Sequence, residues 1–189
     1  MIEIKNRFTE EVLRVLDMET FQGADLSGVE LEVANLTSMD FSGADLTAAN
    51  LAVADLTHGN LTDANLCAVN LIGANLEYSN LYHASLQGAN LTGANLADTN
   101  MEGADLQDAN LTGANLTGAN LRDAKLQGAN LTRACMDDID IKGAEYDQET
   151  KFPELFFDPR GHGAVRVDTD RPSVELRQRQ APKPWWRFW

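Results

Sequence analysis

A large apolar residue recurs at every fifth position along most of this chain. From Phe21 to Tyr146, 26 consecutive positions in this phase are Leu, Phe, Met, Ile or Tyr. A small residue, usually Ala, stands two positions before each of them, and Asn or Asp usually stands directly before. Residues 19–148 therefore form one unbroken internal repeat.

A period of five excludes both a long α-helix, whose apolar positions recur near 3.6, and a long flat strand, which alternates with period 2. The chain must turn in every repeat, and Gly and Asn, which tolerate tight turns and positive φ, occur once or more in most repeats. The pattern predicts a coil of short strands and turns with the apolar residues pointing inward.

The runs ADLSG, ANLTG, ANLRD and ADLQD resemble the pentapeptide-repeat family, whose consensus is A(D/N)LXX. The resemblance implies an all-β fold, a right-handed quadrilateral parallel β-helix in which four pentapeptides make one coil. Residues 19–148 would then form about 6 to 7 coils, a rod about 31 Å long at the spacing of neighbouring strands.

The N-terminal end of the repeat needs a cap, because one coil alone buries too little surface to fold. Thr9 followed by two glutamates is typical of a helix start. We expect a helical cap over residues 1–18. Its apolar face would consist of Phe8, Val12, Val15 and Leu16.

The C-terminal end carries a second predicted cap over residues 149–163, a segment that resembles the closing segment of many family members. The aromatic and aliphatic residues expected to cover the last coil are Phe152, Leu155, Phe156 and Phe157. Residues 164–189 are predicted to be a flexible tail.

The formal net charge is -14. This acidity argues against direct binding of nucleic acid, which requires clustered Lys and Arg. Stacking the repeat every 20 residues places the acids mainly on two adjacent sides. The candidate acidic residues are Asp40, Asp63, Asp105, Asp108 and Asp123. A third side is nearly neutral and carries a small apolar patch, Val33, Val53 and Ile72, which is a candidate partner or dimer contact.

The C-terminal tail is the other candidate interaction segment, because it combines basic and aromatic residues. Its candidate docking residues are Arg177, Arg179, Trp185, Trp186, Arg187, Phe188 and Trp189. Three roles stay open for it: a partner-docking motif, a membrane contact, or cover for an acidic side of the rod.

Catalytic chemistry has little support in this sequence. Three histidines and two cysteines are spread along the chain without a nucleophile or second ligand at a suitable spacing. Residues 138–149 match part of a calcium-loop pattern, but Lys142 stands where an oxygen ligand is needed. We predict no catalytic site, cofactor or metal.

The sequence therefore favours a non-enzymatic interaction or scaffold protein that binds an unknown protein partner through the sides of a rigid rod. The main alternative is an acidic DNA mimic that binds DNA gyrase or another DNA-binding protein. The unbroken repeat weakens it, since gyrase-directed relatives generally carry irregular repeats or loops. A weaker alternative is a membrane-associated protein that docks through its tail. We expect a cytoplasmic protein, since no signal peptide or spanning segment is evident, and a monomer or weak homodimer.

Overall fold

The computed structural model describes residues 1–153 and 158–167. They contain five named strands: β1 (Ile2–Asn6), β2 (Val12–Leu16), β3 (Ala34–Asn35), β4 (Glu145–Tyr146) and β5 (Val165–Arg166). Between β3 and β4 the chain is a succession of single-residue bridges and turns. Within the described ranges, no helix is long and apolar enough to cross a membrane.

Parallel bridges join each residue that precedes a large apolar residue to its equivalent 20 residues later, from Asp25 with Asp45 to Lys125 with Glu145. Leu46 N–H donates to the Asn65 carbonyl at 2.7 Å, and Asn65 N–H donates back to the Ala44 carbonyl at 2.9 Å. Each coil thus satisfies the backbone polar groups of the next, and the predicted stacking of 20-residue coils is confirmed.

Nearly every repeat turns the chain by a hydrogen bond from the small residue to the carbonyl of the large residue three positions earlier, as from Ala44 to Phe41 at 2.9 Å. The residue just before the small one has a positive φ, 65° at Gly43 and 57° at Val53. Glycine adopts this conformation without strain, whereas a β-branched residue does not. The backbone ladder therefore imposes the turn even where the residue type disfavours it.

The large apolar residues form one continuous core. Those from Leu31 to Leu131 are exposed by 1% or less, and the small residues fill the spaces between them. At the N-terminal end the rings of Phe21 and Phe41 stack with centroids 4.8 Å apart. The prediction that both residue classes point inward is confirmed.

The predicted N-terminal helical cap is wrong. Residues 1–16 form a hairpin in which β1 pairs antiparallel with β2 on one side and with β3 on the other, giving a sheet of order β2-β1-β3. Asn6 Oδ1 accepts the N–H groups of Phe8 and Thr9, so Thr9 lies in the hairpin turn and caps no helix.

A strand forms here instead of a helix because the first coil has no preceding coil to pair with. β1 supplies that partner to Ala34–Asn35. The pairing also places Ile4 on the core, where it is fully buried. Ile2, Leu16 and Met18 are partly buried against the same core. A helix would have left the strand edge of the first coil unpaired.

The bridge separation changes at the C-terminal end, where Asn130 pairs with Lys151, 21 residues later. Phe152 packs edge-on against Tyr146 with ring centroids 5.4 Å apart, as expected of a cap. The other predicted capping residues, Leu155, Phe156 and Phe157, lie outside the described residues. Residues 164–167, placed by the sequence at the start of a flexible tail, instead continue the ladder through β5, which pairs parallel with β4.

Candidate interaction surface

The largest exposed apolar side chains cluster on the N-terminal hairpin. We call this set, Met1, Phe8, Val12, Leu13 and Val15, the hairpin surface. Phe8 is 67% exposed, and Val12 and Val15 are each 50% exposed. The other large apolar side chains that are exposed in the described part of the chain are Ile72, Tyr78 and Val165. They are far apart in sequence, so the hairpin concentrates the exposed apolar surface of the described residues.

The backbone of β2 is also available. β1 lies between β2 and β3, so β2 forms the outer edge of the sheet. Within the described residues, no strand pairs with that outer edge. Natural edge strands usually carry charges, prolines or bulges that prevent pairing with another chain. β2, with the sequence VLRVL, contains only one charged residue, and its register with β1 shifts at Leu13. Within the described residues its outer edge nevertheless remains without a partner strand.

The hairpin is fixed to the rod by Arg7 at its turn. Arg7 N–H donates to the Val33 carbonyl at 2.9 Å, and its guanidinium donates to the Val53 carbonyl at 3.0 Å. The same guanidinium forms an ion pair with Asp55 at 3.4 Å. These contacts reach two successive coils, so the hairpin surface is held in a defined position.

The predicted apolar patch is divided by this arrangement. Val33 and Val53 are half-buried, and Arg7 binds the carbonyls of both. Ile72 is 42% exposed and belongs to the next coil. The structure therefore brings Val33 and Val53 to the base of the hairpin and leaves Ile72 beyond it.

The candidate acids divide into two structural classes. Asp40 and Asp105 precede a large apolar residue, and each accepts the N–H of the residue two positions later, at 2.9 and 3.2 Å. The N–H of Ser42 is the main cause that lowers the pKa of Asp40 below its ordinary value. Asp105 also forms an ion pair with Lys125 at 3.5 Å. These carboxylates stabilise the turns.

Asp63, Asp108 and Asp123 belong to the second class and occupy the positive-φ turn position, at 56°, 58° and 55°. Asp is among the residues that tolerate this conformation, so the turn by itself explains their presence. All three are exposed. A Cβ on Gly128 would lie 2.2 Å from Asp108 Oδ1, so that carboxylate leans over the glycine of the next coil.

The described residues contain no group of three or more His, Cys, Asp or Glu side chains that could hold a metal ion. The ring of His58 stacks on Tyr78 and that of His83 on Tyr82, with centroids 5.1 and 4.0 Å apart. Cys67 donates to Gln87 Oε1 at 2.8 Å. These contacts explain the positions of the His58, His83 and Cys67 side chains as members of ordinary surface pairs.

The seven candidate residues of the tail lie outside the described residues. Sequence reasoning missed the hairpin surface, because three of its residues, Phe8, Val12 and Val15, were assigned to the buried face of a helix. The alternation of Ile2 and Ile4 with polar residues was the signal that could have indicated a strand.

A family model described as pentapeptide repeats matches this chain in 8 copies, over residues 20–52, 49–88, 75–113, 84–123 and 104–143. No curated protein matches the chain.

Solved structures also resemble it. HetL from the cyanobacterium Nostoc sp. strain PCC 7120, a pentapeptide repeat protein involved in heterocyst differentiation regulation, is 31% identical over 68% of this chain and 76% of that one, with a TM-score of 0.44. Rfr23 from the cyanobacterium Cyanothece 51142 is 33% identical over 69% of this chain and 88% of its own, with a TM-score of 0.28. QnrB1, a plasmid-mediated fluoroquinolone resistance protein, is 21% identical over 85% of this chain and 82% of its own, with a TM-score of 0.50.

Proposed function

This chain belongs to the pentapeptide-repeat family, whose members fold as right-handed quadrilateral β-helices, and from that premise we propose that it is a non-enzymatic protein-interaction module. Its function lies in a surface presented by a rigid rod, since a fold of this kind does not by itself define a chemistry. Cytoplasmic localisation and a monomeric or weakly dimeric state belong to the same proposal.

The observation that carries the proposal is the exposed apolar hairpin with its unpaired strand edge. A partner segment in extended conformation would add to β2 through main-chain hydrogen bonds. Its apolar side chains would cover Val12 and Val15, the half-exposed residues of that strand. Glu10, Glu11 and Asp17, all exposed, flank β2. The partner segment is therefore an apolar strand flanked by basic residues.

Comparative affinity capture from a lysate of the native host tests this function. The wild type is compared with a Val12→Lys/Val15→Lys variant, which places charges on the edge strand, and with Ile72→Lys as a matched exposed control. Proteins retained by the wild type and by Ile72→Lys should be lost with the double variant. If the double variant retains the same proteins, the hairpin is not the binding surface.

The DNA mimic is a second candidate, supported by the charge of -14 and by the exposed carboxylates of Asp63, Asp108 and Asp123. It is weaker because Asp40 and Asp105 are used in turns of the rod itself. Inhibition of gyrase supercoiling at micromolar protein would support it, provided that replacing the three exposed Asp by Asn abolishes the effect. Absence of inhibition eliminates it.

Membrane association through the tail is a third candidate, supported by the tryptophans beside basic residues. Liposome binding by the full chain, lost on truncation after Gln180, would support it. No binding by the full chain eliminates it.

A further inference from the structure

We propose that the C-terminal segment 168–189, which lies outside the described residues, docks on the hairpin surface of its own chain. The inference identifies an intramolecular occupant for the exposed apolar side chains of residues 1–16. It concerns the same surface as the proposed function, but the contact itself requires no partner.

The segment and the surface are chemically complementary. Residues 168–189 carry five basic and three acidic side chains, whereas residues 1–20 carry three basic and five acidic ones. The last five residues are Trp185, Trp186, Arg187, Phe188 and Trp189. Large aromatic side chains gain most from covering exposed Phe, Val and Leu. Basic residues beside them would lie next to the exposed glutamates of the hairpin turn, Glu10 and Glu11.

The distance is within reach of the chain. The hairpin pairs with the first coil, and Val165–Arg166 pairs with the last described coil. Between seven and eight strand spacings separate β1 from β5, a span of about 36 Å. Trp185 lies 18 residues beyond Val167 and can extend about 59 Å from it. The aromatic residues can therefore reach the opposite end of the rod without full extension of the linker.

An intramolecular contact is favoured over one between copies because the segment is tethered. A linker of this length gives an effective concentration on the order of millimolar, far above ordinary protein concentrations. The same arrangement would cover the outer edge of β2. As a consequence that rests on the proposed function, the segment would compete with a partner strand for that edge.

Tryptophan fluorescence tests the contact directly, because the chain has three Trp and all of them, Trp185, Trp186 and Trp189, lie in this segment. The full chain is measured at low micromolar concentration against a peptide of residues 168–189. We expect the emission of the full chain to be blue-shifted from that of the peptide. We also expect its acrylamide quenching constant to be at least twofold smaller.

Two variants locate the contact. In Val12→Lys/Val15→Lys the emission and quenching should return to the values of the free peptide, whereas Ile72→Lys should keep those of the wild type. Phe8→Ser, in the hairpin turn, provides an independent disruption if the double variant fails to fold, as judged by circular dichroism. It should likewise increase quenching.

Several results would overturn the proposal. Emission of the wild type identical to that of the peptide would show that no contact forms. Shielding lost in Ile72→Lys but kept in the hairpin variants would place the segment elsewhere. Shielding that depends on protein concentration, with a dimeric mass in sedimentation, would assign the contact to a second copy. Shielding that appears only with anionic lipid vesicles would assign it to a membrane. Partner capture is a separate measurement from tryptophan fluorescence. The fluorescence can therefore refute the docking of the segment while the proposed function stands, and partner capture can refute the proposed function while the docking stands.

Discussion

Replacement of Asp147 by alanine should loosen the C-terminal end of the rod. Asp147 Oδ1 accepts the backbone N–H groups of Gly128, Glu149 and Thr150 at 3.0 Å each, and the Thr150 hydroxyl at 3.0 Å. In a regular coil the N–H at the turn donates to a carbonyl 19 residues later, as Gly113 does to Thr132. The Asp147 side chain replaces that carbonyl where the pairing separation changes from 20 to 21.

The magnitude follows from the groups left without an acceptor. Asp147 is 3% exposed, and loss of its carboxylate leaves the Gly128 N–H without an acceptor inside the structure, at a cost of about 1–3 kcal/mol. Glu149 is exposed and Thr150 half-buried, so water replaces their bonds in part, at about 0.5–1.5 kcal/mol each. Asp147→Ala should therefore lower the local stability by about 2–6 kcal/mol.

Asp147→Asn is the matched control, because it keeps Oδ1 as an acceptor and removes the charge. Burial raises the pKa of Asp147, but hydrogen bonds from Gly128, Thr150 and Glu149 outweigh burial and hold the pKa below its ordinary value of 3.8. The charged form therefore stabilises the fold at neutral pH. This contribution is complete above about pH 3.8 and is lost as the pH falls through the folded-state pKa. The difference in stability between wild type and Asn should narrow at acid pH.

Hydrogen exchange measured by mass spectrometry is the suitable assay, since in a stack of coils a defect near one end opens that end first. Peptides within residues 126–151 should exchange faster in Asp147→Ala, with a smaller change in Asp147→Asn, while those within 61–100 stay unchanged. Equal exchange in wild type and Asp147→Ala would refute the assigned role of the carboxylate.

Two further predictions concern the turns and the hairpin. Gly113→Ala should lower the unfolding free energy by about 1 kcal/mol, from its φ of +67° alone, since nothing lies within 4 Å of the added Cβ. Gly103→Ala should lower the unfolding free energy by more than Gly113→Ala does, because the added Cβ would lie 2.3 Å from His83 Cδ2. In a His83→Ala background, denaturant unfolding should show equal losses for the two glycine substitutions. Arg7→Ala, which removes the bond to the Val53 carbonyl, should speed amide exchange in residues 2–16 and leave that of the central coils unchanged.

The outcomes that contradict these predictions are specific. Equal losses for Gly113→Ala and Gly103→Ala would mean that the His83 ring moves aside without cost. Unchanged exchange in Arg7→Ala would mean that the pairing of β1 with β3 and the burial of Ile4 fix the hairpin without the guanidinium.

The acidic residues show how far sequence reasoning reached into the candidate site. The sequence indicated an acidic rod, because charge is a property of composition. It could not show that Asp40 caps the N–H of Ser42 and pairs with Asn60 of the next coil. It likewise could not show that Asp108 leans over Gly128. Those roles depend on which residues meet across coils, 20 positions apart.

The five-residue period alone determined the solenoid and its core, because the same local preference is repeated 26 times from Phe21 to Tyr146 without interruption. Each copy agrees with its neighbours, so the local preference and the overall fold point to the same structure. The N-terminal segment had no such repetition, and its apolar spacing suited either a helix or a strand. Only the tertiary structure decided between them, through the open strand edge of the first coil at Ala34–Asn35, which β1 pairs and a helix could not.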